Sequence, residues 1–194
     1  MALSETDTIP VPPITPGVAR ALSPLMRRIA CEGESEETPG LNTYLIGIDE
    51  IVVVDPGPIE ENHIDVLCGC GGERIRWIIL TDTNPAYSES ALMLKERTGA
   101  ELIAPGSFPD ADQTLGDGFK VDATEFILTA VALEEPEKFL FVLEQERTLL
   151  TGDHLKNNKI PVDLLEKLRP YRLKSIAPGH GQFSEDARPQ FRSS

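Results

Sequence analysis

Histidine and cysteine are both scarce in this chain of 194 residues, which holds three of each. The odd set Cys31, Cys68 and Cys70, in a sequence without the basic start and apolar stretch of a secretion signal, excludes a disulfide framework and predicts reduced thiols in a cytoplasmic protein. Cys68-Gly69-Cys70 has no second cluster of Cys or His beside it, so a helix ending in glycines explains it better than a zinc or redox site. No apolar run approaches the roughly 20 residues that a membrane-spanning helix needs. Basic residues are also in short supply, 18 Lys and Arg against 32 Asp and Glu. The resulting net charge of −14 repels phosphate backbones and anionic lipid, which argues against nucleic acid or a membrane as partner. A Gly-x-Ser-x-Gly nucleophile motif is missing. Asp55-Pro56-Gly57-Pro58 and Pro178-Gly179-His180-Gly181 lack the strand-loop-helix spacing of a phosphate cradle and read as sharp turns.

What is present fits one folded domain. With 40% hydrophobic and 26% charged residues, the chain can bury a single substantial core. Residues 1–40 read as an extended lead-in packed on the body. Pro10, Pro12, Pro13 and Pro16 break any regular element, 19–29 mixes Leu22, Leu25 and Met26 with Arg27 and Arg28, and the acidic run from Glu32 to Glu37 is a solvated loop. The β pattern starts at Leu41, with a hairpin of 42–47 and 51–54 around Asp49-Glu50. A helix over 60–70, a strand over 75–80, a helix over 89–97 capped by Ser88, and a strand over 101–104 make a parallel crossover. Strands at 119–121, 125–133, 139–143 and 148–150 follow, then a helix at 162–168 after Pro161 and a last strand at 174–177. This order predicts two sheets packed face to face with helices outside, in one domain over 41–181. The polar tail 182–194 is expected to fray.

The stretch from Ile78 to Ser88 is a buried strand that stops in the polar loop Thr81-Asp82-Thr83-Asn84 and hands over to a helix. It resembles the Thr-His-x-His-x-Asp-His signature of the metallo-β-lactamase superfamily. Thr81 is kept, Asp82, Asn84 and Tyr87 stand at the histidine positions, and Ala86 stands at the aspartate position. Asn42-Thr43-Tyr44-Leu45-Ile46-Gly47, the β-branched run after it, and Asp55-Pro56-Gly57-Pro58 look like the opening of that fold. Thr151-Gly152-Asp153-His154 and Pro178-Gly179-His180-Gly181 resemble its late ligand loops, in the expected order. The segment from Leu22 to Ile29 is similar to the β-lactamase-like protein 2 branch. The resemblance implies an α/β fold, a four-layer αββα sandwich, without the C-terminal winged-helix-like domain of that branch.

The resemblance also implies a site. Registering the middle ligand loop on the strand 139–143 places Glu134 at a histidine position, with Glu135 as the alternative. The first metal would then meet Asp82, Asn84 and Glu134, the second Ala86, Tyr87 and His180, and Asp153 would bridge them. Such a set does not suit a dinuclear zinc centre, because a phenol is a poor ligand at neutral pH and alanine is none. The oxygen donors Asp82, Asn84, Glu134 and Asp153, with His180 nearby, could instead take a single divalent cation, Mn, Mg, Ca or Zn, although no cofactor is the leading expectation. Without metal, Asp153 orienting His180 forms an acid-base pair. His154 reads as structural, and His63 as a residue of a surface helix. Two functions follow. The first is a pseudoenzyme with a degenerate metal site, acting in binding or assembly, as a homo-oligomer or holding a small molecule. The alternative is a hydrolase using the oxygen-liganded cation or the Asp153–His180 pair.

Overall fold

The computed structural model describes residues 13–33, 40–155 and 159–191. The first twelve residues of the lead-in, residues 34–37 of the acidic loop and the last three of the tail lie outside them. One sheet takes seven strands in chain order: β1 (Arg20–Ala21), β2 (Met26–Ala30), β3 (Asn42–Ile46), β4 (Ile51–Val54), β5 (Ile75–Ile79), β6 (Glu101–Ala104) and β7 (Gln113–Thr114). Pairing is antiparallel from β1 to β4 and parallel from β4 to β7. The second sheet takes β8 (Lys120–Asp122), β9 (Ile127–Ala132), β10 (Phe139–Leu143), β11 (Thr148–Gly152) and β12 (Ser175–Pro178), in the order β12-β11-β10-β9-β8. Only β11 and β12 run parallel there. Helices α1 (Glu61–Gly71), α2 (Pro85–Thr98) and α3 (Val162–Leu168) complete the regular elements used below.

Three buried clusters show why the layers stack. Met26, Tyr44, Val52, Val54 and Ile79 from the first sheet meet Leu128, Phe141, Leu143 and Leu150 from the second, so the two sheets share one core. On the far face of the first sheet, Ile29, Leu45, Val53 and Ile78 pack under Ile64 and Leu67 of α1 and Ala91 and Leu94 of α2. On the far face of the second, Leu140, Val142 and Ile176 pack under Leu164, Leu165 and Leu168 of α3. β4 and β10 are therefore buried on both sides and apolar along their whole length, the mark of a strand covered on each face. The result is the four-layer αββα sandwich expected. No helix among the described residues is long and apolar enough to cross a membrane.

Three local expectations are corrected. The segment 20–30 does not merely lie on the body: β2 pairs along its length with β3 and extends the sheet. Helix α2 begins at Pro85 rather than after Ser88, whose N–H already donates to the Asn84 carbonyl at 3.1 Å. Proline suits the first helical position, where its missing N–H costs nothing. The polar tail does not fray over 182–187: Ile176 and Ser184 exchange two backbone hydrogen bonds of 2.9 Å, and Ala187 is fully buried.

Candidate functional site

The ends of β4, β5, β11 and β12 meet at one corner of the sandwich, and Thr81 is the residue that joins them. Its N–H and its hydroxyl each donate to the Asp55 carboxylate at 2.8 Å. Its carbonyl accepts from the N–H of Phe139 at 2.9 Å and lies 3.3 Å from Nε2 of His154. Gly152 closes over it with φ +49°, and a Cβ there would come within 2.5 Å of the Thr81 hydroxyl, so only glycine lets β11 approach this closely. Gly152 in turn accepts from the N–H of Gly179 at 2.8 Å, which ties in β12.

Asp55 itself has φ +50° and is buried. Loss of hydration pushes its pKa up to about 8, against the opposing pull of the Thr81 hydrogen bonds. It is held as an acid rather than as a charge near neutral pH.

The sequence-matched positions divide into two groups. Asp82 turns inward, where the buried phenol of Tyr87 donates to its Oδ1 and the Asn84 N–H donates to the same oxygen at 2.7 Å. Burial holds the Tyr87 pKa well above the ordinary phenol range, so the group stays a donor. His154 Nδ1 lies 3.9 Å from the second oxygen of Asp82. Burial lowers the pKa of His154, with Asp82 opposing, and the ring lines this junction as a neutral imidazole. The other group is Asp153 and His180, with Oδ1 and Nε2 at 3.1 Å and side chains 27% and 44% exposed. Solvent and solutes reach this pair.

Glu134 is exposed and lines a cavity of about 370 Å³ with His154, Asp163 and Lys167, while Glu135 is engaged by Lys138. No three His, Cys, Asp or Glu side chains among the described residues come together as a group that could hold a metal ion. The Asp82 carboxylate, at the first matched position, has one oxygen committed to two protein donors.

His154, structural by its sequence context, brings its ring to the central loop. Sequence reasoning missed His63 and Asp55. His63, expected on a surface helix without a partner, is buried, 3.1 Å from the Thr43 hydroxyl and 3.6 Å from the Cys31 sulfur. Asp55 carried a signal, since an Asp-Pro-Gly turn after a four-residue apolar strand places a carboxylate at the strand end.

Four layers in this strand order, with the loops gathered at one corner, define the metallo-β-lactamase fold. A metallo-beta-lactamase from Pontibacter korlensis superposes with a TM-score of 0.70 at 12% identity, covering 87% of this chain and 93% of that one. A chemotaxis sensor protein, ODP, solved as a peroxy diiron species, gives 0.66 at 16% identity over 90% and 92%. Rubredoxin oxygen:oxidoreductase from Desulfovibrio gigas gives 0.67 at 14% identity over 88% of this chain, which spans 58% of that longer one. No protein-family model matches the sequence, nor does any curated protein. At these identities the likeness is one of fold.

Proposed function

We propose that this protein keeps the metallo-β-lactamase fold as a binding or assembly scaffold and does not perform dinuclear zinc hydrolysis. The observation that supports this reading is the Tyr87–Asp82 hydrogen bond. A buried phenol at one ligand position donates to the carboxylate at another, so the two satisfy each other. The diiron species named for one neighbour, the chemotaxis sensor, is not carried over, for the same reason. The test is metal analysis of the purified protein before and after incubation with zinc, manganese and iron(II) salts followed by desalting. Metal well below one equivalent is the expected result. A stoichiometric metal that disappears in Asp153→Asn would overturn the reading. Self-association is part of the proposal and is checked by light scattering at micromolar concentration.

A second reading is supported by the Asp153–His180 contact. A carboxylate 3.1 Å from a half-exposed imidazole can orient it for proton transfer to or from a bound solute. It predicts hydrolysis of an activated ester or thioester that is lost in His180→Ala with the fold intact. Rates equal in wild type and variant would remove it.

A further inference from the structure

Asn42, at the start of β3, is 1% exposed and bonded in an unusual way. Its Nδ2 donates to two carbonyls, those of Pro178 and Gly181, at 2.9 Å each. Its backbone N–H donates to a third, that of Gly179, at 2.7 Å. Its Oδ1 has no hydrogen-bond partner, and among the described residues it is the one buried side-chain nitrogen or oxygen in that condition. The amide cannot turn over to satisfy it, because the oxygen would then face two carbonyl oxygens. A buried acceptor left unpaired is costly, so its presence needs a physical reason.

The reason lies in what the three carbonyls have in common. They belong to the loop Pro178–Gly181 and flank His180 on both sides. Leu41, the neighbour of Asn42, forms an isolated antiparallel bridge with His180 itself. Tyr44, two residues further along β3, adds a bond from its hydroxyl to the Pro178 carbonyl at 2.6 Å. The start of β3, in the first sheet, therefore grips the loop that leaves β12, in the second. The same loop is tied to the end of β11 by the Gly179 N–H, which donates to the Gly152 carbonyl at 2.8 Å, and Asp153 is the next residue after Gly152. An imidazole 44% exposed gains little restraint from packing, so its place depends largely on the backbone that carries it.

We propose that Asn42 is a positioning residue for His180: its amide fixes the loop on both sides of the imidazole and so holds the ring within hydrogen-bond reach of Asp153. The inference rests on the acid-base reading of that pair and adds a residue that acts on it through the backbone. Asparagine suits the task because one planar amide carries two N–H donors, enough for a carbonyl on each side of His180. A hydroxyl has one donor and an ionised carboxylate none. Proton transfer is sensitive to placement, since an error of about 1 Å can lower a rate about a hundredfold.

The test compares crystal structures and activated-ester hydrolysis for wild type, Asn42→Ala and Ile64→Ala, with urea unfolding of all three. Ile64→Ala is a truncation in the core under α1 and serves as the control for lost stability alone. In wild type and Ile64→Ala, Nε2 of His180 should stay within hydrogen-bond distance of Asp153 Oδ1. In Asn42→Ala the two should separate beyond it, and kcat should fall at least about tenfold with KM kept. A purely structural Asn42 would lower the unfolding midpoint as Ile64→Ala does and leave the pair in place, and that result overturns the proposal. Absence of hydrolysis in wild type removes the acid-base reading instead. The crystal structures then decide the positioning role by themselves: a separated pair in Asn42→Ala supports it and an intact pair overturns it. Should Asn42→Ala fail to fold, Asn42→Ser is judged in its place by the same measurements.

Discussion

Replacing Asp55 with asparagine should make the protein less sensitive to alkaline pH. Buried and pushed up to about 8 from an ordinary 3.8, the Asp55 carboxyl binds its proton more tightly in the folded chain than in the unfolded one. Its contribution is complete below the unfolded value and drains away as pH rises through about 8. At about 1.4 kcal/mol per unit, the gap sets an upper limit of about 6 kcal/mol, which relaxation and water entry reduce. Asparagine keeps the shape. Its oxygen can accept from the Thr81 N–H and its amide can donate to the Thr81 hydroxyl, replacing the two 2.8 Å bonds. The assay is urea unfolding of both proteins from about pH 5 to about pH 9. The stability of Asp55→Asn relative to wild type should climb with pH by up to about 1.4 kcal/mol per unit and level off above the folded value. A flat difference, or wild type gaining on the variant as pH rises, would refute the account of Asp55 as a buried acid.

Other perturbations test the same corner. Gly152→Ala places a Cβ within 2.5 Å of the Thr81 hydroxyl at φ +49°, and a loss of about 1–3 kcal/mol is expected in denaturant unfolding. Gly179→Ala would bring a Cβ within 2.3 Å of Asp153 Oδ1, so its unfolding midpoint should fall while helix content by circular dichroism is kept. Tyr87→Phe removes the donor to Asp82 but leaves the Asn84 N–H in place, for a cost of about 1–2 kcal/mol by urea unfolding. His63 and His154 both have pKa values lowered by burial, so stability should fall as pH drops below the ordinary histidine range. Nuclear magnetic resonance titration should show both rings still neutral at that point.

Much of the sandwich was legible from apolar periodicity. The 51–54 and 139–143 runs announce strands buried on both faces, and the expected 162–168 helix matches α3 residue for residue. β2 was hidden for a physical reason: Arg28 occupies an inward position between Met26 and Ala30, so a charge interrupts the alternation that marks a strand. The start of α2 was legible in Asn84-Pro85, but Ser88 offered a competing cap in the sequence; in the structure it lies inside the helix. Tail docking escaped because it rests on two backbone hydrogen bonds and the single buried side chain of Ala187, which leave no pattern. At the site, the residue types at the ligand positions could be read directly. The partnership of Tyr87 with Asp82 could not, since it depends on the first turn of α2 aiming the phenol at the loop.

The Thr81 junction fastens strand ends from both sheets through an acid, a hydroxyl, a carbonyl and two glycines, all encoded in the chain itself. On the scaffold reading proposed above, this corner takes its shape from the polypeptide alone, so chelators and changes in the supply of transition metals should leave it unaltered.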